Sequence, residues 1–101
     1  MSNDTISPKS KYSVPALEKT IAILEHLSKT GKGQSLSNLS QELGIPKTSA
    51  FSILQTLESH NLIRKNDNGQ FQLGLKLYSL GMASLRNFNI KETLVPHLER
   101  L

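Results

Sequence analysis

Between Lys47 and Ser59 one flank of the chain carries only short hydrogen-bonding side chains: Thr48, Ser52, Gln55 and Ser59. The spacing is helical, because Ala50, Ile53, Leu54 and Leu57 repeat at i, i+3, i+4 and i+7 on the opposite flank. A surface helix is normally laced with Lys and Glu. One that shows hydroxyls and an amide, with Lys47 at its positive end, is suited to the major groove of DNA, where base edges offer donors and acceptors. Little else in the sequence could do chemistry. There is no cysteine, so there is no disulfide, thiolate metal site or thiol nucleophile. His26, His60 and His97 have no carboxylate partners at catalytic or metal spacing. No enzyme, cofactor or metal is expected.

The elements that position this flank are written just before it. Asn38 to Leu43 reads as a helix of under two turns, capped by Ser37. Gly44 supplies the left-handed residue that ends it, Ile45 plugs the corner, and Pro46 suits the first position of the next helix. A helix-turn-helix needs apolar residues filling the angle from both sides and a turn tolerant of positive φ. Leu39, Leu43, Ile45, Ala50 and Ile53 meet that demand. The competing reading is any αα-corner of a helical bundle.

The 101 residues make one small domain with a net charge of +4, compatible with a polyanionic partner. No apolar run is long enough to span a membrane, and Met1 to Ser13 has no secretory h-region. Residues 1–13 read as a disordered arm, in which Lys9 and Lys11 either touch phosphates or are simply solvated. A helix follows from Pro15 to Lys29. Its charges balance (Glu18, Lys19, Glu25, Lys29), and its apolar face is wide: Leu17, Ile21 and Leu24 beside Ala16, Ile23 and Leu27. That face either packs on two sides of its own domain or meets a partner subunit. Gln34-Ser35-Leu36 is expected to be extended and to pair with a later strand.

After the polar helix, Asn61 is expected as a left-handed cap. Leu62 to Lys65 and Gln70 to Leu73 flank Asn66-Asp67-Asn68-Gly69, a tight-turn signal. The hairpin reads as a wing, with Phe71 and Leu73 covering the core, Arg64 and Lys65 on the arm, and Asn68 at the tip near phosphate. The competing reading is a hairpin that only closes the core. Gly74 breaks the strand. Leu75 to Leu85 is helical, and Gly81 within it suggests close helix packing. Residues 90–101 restart an amphipathic helix containing Pro96, with Leu94, Leu98 and Leu101 on one face. The chain stops on an apolar seam, as a fragment leading into a further domain would.

The order of elements resembles the N-terminal DNA-binding domain of the IclR family of bacterial transcription regulators. Leu17 to Leu24, Ser37 to Ala50, Leu54 to Glu58 and Phe71 to Leu77 carry the resemblance, and Phe71-Gln72-Leu73-Gly74-Leu75-Lys76-Leu77 is the most specific of them. It implies a mainly α fold with a small β-hairpin: a winged helix-turn-helix with a three-helix core plus wing, followed by a linker helix. The expected boundaries are 14–75 for the domain (helix-turn-helix about 36–55, wing about 62–73) and 76–101 for linker helices. The lack of cysteine suits a cytoplasmic protein, and the resemblance implies a homodimeric repressor or activator, paired partly through the first and linker helices on a pseudo-palindromic operator of double-stranded DNA. A small-molecule effector would bind a C-terminal domain absent from this chain. Family base-reading positions fall on Thr48, Ser49, Ser52 and Gln55, with Lys47 at the helix start. Many members have Arg where this chain has Ser52, and Gly where it has Asn61. Without that Arg, Gln55 to adenine, the hydroxyls, and Phe51 against a thymine methyl remain as readers, which favours A·T-containing sites. Two competitors share the scaffold: a winged-helix module that binds protein, and one that only grips the DNA backbone. Acidic or apolar residues would mark the former, and Thr48, Ser52 and Gln55 are neither.

Overall fold

The computed structural model describes residues 12–88; the expectations for residues 1–11 and 89–101 lie outside that range. Four helices and two strands run in the order α1 (Pro15–Thr30), α2 (Leu36–Leu43), α3 (Lys47–Ser59), β1 (Ile63–Lys65), β2 (Phe71–Leu73) and α4 (Leu75–Arg86).

Each helix starts and stops where its residues dictate. Pro15 occupies the first turn of α1 behind Val14, and the chain leaves the helix through Gly31 at φ 69°. Helix α2 is capped by Ser35, whose hydroxyl accepts the Asn38 amide at 3.0 Å. The cap is therefore Ser35 rather than Ser37, and Leu36 is helical rather than extended. Gln34 and Ser35 keep the expected extended backbone, and Gln34 makes the pairing: it exchanges two backbone hydrogen bonds with Phe71, at 3.0 and 2.7 Å. That bridge fixes the chain just ahead of Ser35 and so decides between two equally suitable serines. Gly44 closes α2 at φ 65°. Pro46 sits one residue before its expected place: its carbonyl accepts the Ala50 amide at 2.9 Å, making Lys47 the first helical residue. Asn61 takes the left-handed conformation, φ 63°, after α3. Asn is among the few non-glycine residues that tolerate it.

One core joins α1, α2, α3 and the hairpin. It contains Ile23, Leu27, Leu39, Ile45, Ala50, Leu54, Leu57, Ile63 and Phe71. Ala50 is fully buried in this core, where a larger side chain would have to displace close-packed neighbours. The strands are antiparallel, with Ile63 opposite Leu73, Arg64 opposite Gln72 and Lys65 opposite Phe71. The tip is held by Asn66, whose side-chain oxygen accepts the amides of Asn68 and Gln70 at 2.8 and 3.0 Å. Phe71 covers the core as expected; Leu73 does not, and stays 38% exposed above the end of α1.

Gly74 is required by contact. A Cβ there would lie 2.5 Å from the Asn61 carbonyl oxygen and 3.1 Å from the Ile63 nitrogen. The same approach lets the Gly74 amide donate to Leu62 and the Lys76 amide to Asn61. Gly74→Ala is expected to lower stability by about 1–3 kcal/mol, the usual cost of forcing atoms into a packed site. Chemical denaturation would show it as an earlier midpoint. Gly81 is the reverse case: nothing lies within 4 Å of the Cβ it lacks, so the close packing expected there is absent among the described residues. Helix α4 buries none of its residues.

Candidate nucleic-acid interface

Helix α3 divides as its sequence does. At about 100° per residue, Ala50, Leu54 and Leu57 form the buried stripe. Thr48, Ser52, Gln55 and Ser59 fall opposite, and all four are exposed. Lys47 is exposed at the first turn. Ser49 and Phe51 flank the polar stripe; Ser49 is half-buried and Phe51 is 53% exposed.

Hydrogen bonding separates these side chains further. The Thr56 hydroxyl donates back to the Ser52 carbonyl at 2.9 Å, and the Ser59 hydroxyl to the Thr56 carbonyl at 2.8 Å. Their protons are committed to the helix. Thr48, Ser52 and Gln55 make no side-chain hydrogen bond among the described residues. Their donors and acceptors remain open to an outside partner, and the amide of Gln55 offers both. No carboxylate occupies the first turn of α3, so the positive end of the helix dipole is not cancelled there.

Arg64 and Lys65 are both exposed, but the register puts them on opposite faces of the hairpin. The Arg64 guanidinium donates to Gln72 at 3.2 Å, which steers it while leaving other N–H groups free. The Lys65 ammonium lies 5.2 Å from the centre of the Phe71 ring. Asn68 is exposed at the tip beside Gly69, which has φ 76°.

One feature escaped the sequence. A groove runs between the start of α1 and the start of α3, lined by Lys19 together with Thr48, Ser49 and Ser52. Charge counting along α1 makes Lys19 one of four balanced residues; only tertiary packing sets it beside the polar stripe. Among the described residues no group of three or more His, Asp and Glu could hold a metal. No described helix is long and apolar enough to cross a membrane.

The model of the IclR helix-turn-helix domain matches residues 16–67, which run from α1 into the wing. The chain belongs to the IclR family. Over 95 residues it is 30% identical to the HTH-type transcriptional repressor AllR of Escherichia coli K12, covering 93% of this chain and 35% of that protein. This IclR-family chain thus spans about a third of the length of the curated relatives it matches. Among solved structures it is similar to an IclR-family transcriptional regulator from Brucella abortus, with TM-score 0.72, 23% identity, and coverage of 90% of this chain and 35% of that one. It is similar also to a transcriptional regulator from Alicyclobacillus acidocaldarius, with TM-score 0.68, 28% identity, and coverage of 72% and 30%. The winged helix-turn-helix expected from the sequence is the fold observed.

Proposed function

We propose that this chain is the DNA-binding part of a transcription regulator and that α3 reads bases in the major groove of double-stranded DNA. The observation that carries this is the open hydrogen-bonding capacity of Thr48, Ser52 and Gln55 on the exposed flank of an IclR-type second helix. Lys47, Thr48, Ser49, Phe51, Ser52 and Gln55 are the residues assigned to the groove. Arg64, Lys65 and Asn68 are assigned to the phosphate backbone, which positions the protein without specifying sequence. The relatives named above as repressors support regulation as the role.

The partners follow from the same reading. Leu17 and Ile21 on α1 are 58% and 46% exposed; Leu75, Tyr78 and Leu80 on α4 are 78%, 67% and 52% exposed. Apolar surface of this kind on the first and fourth helices supports a homodimer on a pseudo-palindromic operator, its half-sites one helical turn or more apart. Sensing of a small molecule is assigned to a C-terminal effector domain beyond this chain, in keeping with relatives about three times its length. The site of action is cytoplasmic. The boundaries are taken as 14–75 for DNA binding and 76–101 for the linker.

Selection from a random duplex pool, followed by competition between the recovered duplex and a scrambled one, tests the proposal. A preference of ~10³-fold or more is expected, with A·T-containing half-sites. Equal binding to both duplexes would leave only backbone gripping, and G·C-rich selected sites would remove the A·T bias. Lys65→Ala is expected to weaken binding to every duplex and to flatten the dependence of log affinity on log salt by about one unit. An unchanged slope in a salt titration would take the wing out of the interface.

A further inference from the structure

We propose that Lys19, on α1, holds a backbone phosphate of the duplex at the edge of the recognition helix. The proposal extends the DNA-reading function above and rests on it. The groove that contains Lys19 shares Thr48, Ser49 and Ser52 with the flank assigned to the bases, and its apolar lining comes from Pro15, Ala16 and Ile53. The two surfaces are therefore continuous. A duplex that admits α3 into its major groove must carry a sugar–phosphate strand along each flank of the helix, and the flank at Ser49 opens onto Lys19.

The state of Lys19 fits that role. The residue is half-buried, so its stem lies against protein. No carboxylate pairs with it among the described residues. A lysine of this kind packs its methylenes and presents its ammonium at the rim. The nearest acid in sequence, Glu18, is engaged elsewhere: its carboxylate accepts the Ser13 hydroxyl at 2.9 Å. The remaining lining is uncharged, and the adjoining first turn of α3 carries no acid. An anion brought to this edge meets one cation and three hydroxyl side chains, and no acid among the residues that line it.

The test is a salt titration of the full chain on the pool-selected duplex, comparing the wild type with Lys19→Gln, Lys19→Arg and Lys29→Gln. Gln keeps most of the stem, and Lys29 stands at the far end of α1. Losing one phosphate contact is expected to reduce the fall in affinity between 50 and 200 mM salt by about three- to fourfold, from a slope of roughly 0.9 per contact. Lys19→Arg and Lys29→Gln should retain the wild-type slope. A Lys19→Gln protein whose slope equals that of the wild type would overturn the proposal, even if its affinity fell, because lost packing changes affinity without releasing fewer ions. A wild type with no preference for the selected duplex would sink the base-reading function instead, which separates the two failures.

Discussion

Gln55→Ala is expected to weaken binding to the selected duplex by roughly 1–3 kcal/mol, about 5- to 150-fold, while leaving the fold intact. Gln55 is exposed on α3 and makes no side-chain hydrogen bond among the described residues. Removing its amide therefore costs the free protein almost nothing. In the complex the loss is specific: a base edge, adenine in the pairing expected, is left without its bidentate partner. Repeating the selection with the variant should return sites relaxed at one base-pair position per half-site. Uniform weakening across all sequences would show that Gln55 touches only phosphate.

Leu54→Ala, one residue earlier, is expected to do the opposite. Leu54 is 1% exposed and belongs to the core shared by α1, α2, α3 and the hairpin. Truncating a buried leucine costs about 2–5 kcal/mol, of which part is the cavity that remains. Against the total of about 5–15 kcal/mol available to a domain of this size, that is a large fraction. The melting temperature should fall by roughly 10 °C or more, at about 4–8 °C per kcal/mol. Binding per folded molecule, measured well below the transition, should be preserved. A Leu54→Ala protein as stable as the wild type would mean that the stripe beneath the polar flank is not the core of this fold.

The contrast between these neighbours explains what was readable in advance. The period of α3 separates Leu54 from Gln55 without any knowledge of the rest of the chain, and the turns at Gly44 and at Asn66 to Gly69 are local chemistry. Their signals survive into the fold because no distant contact opposes them. Local signals fall short where a distant contact decides. Ser35 caps α2 instead of Ser37 because the backbone bridge between Gln34 and Phe71 sets where the helix begins. Gly74 is needed for the approach of the Asn61 carbonyl, and Gly81 faces open space; both look alike as glycines beside leucines. Leu73 alternates with its neighbours as an inward residue should, and its partner Ile63 is buried, yet Leu73 itself lines an open groove with Ser28, Gly31 and Lys32 and stays partly uncovered. Lys19 is another such case, made visible only by the packing of α1 on α3.

The same logic applies to the polar flank. Sequence identified which side chains α3 turns outward, but not which had protons to spare. Thr56 and Ser59 spend theirs on carbonyls one turn back or less, whereas Thr48 and Ser52 do not. A hydroxyl at a helical position has both options.

The absence of cysteine from the sequence permits a direct test of where α3 goes. A Ser52→Cys protein carrying an iron chelate on its single thiol, bound to the selected duplex, is predicted to cut the backbone within each protected half-site, at positions facing its major groove. The same chelate on Lys29→Cys should cut weakly or outside the half-sites. Equal cutting from both positions, or none within the half-sites from position 52, would contradict the placement of the recognition helix in the groove.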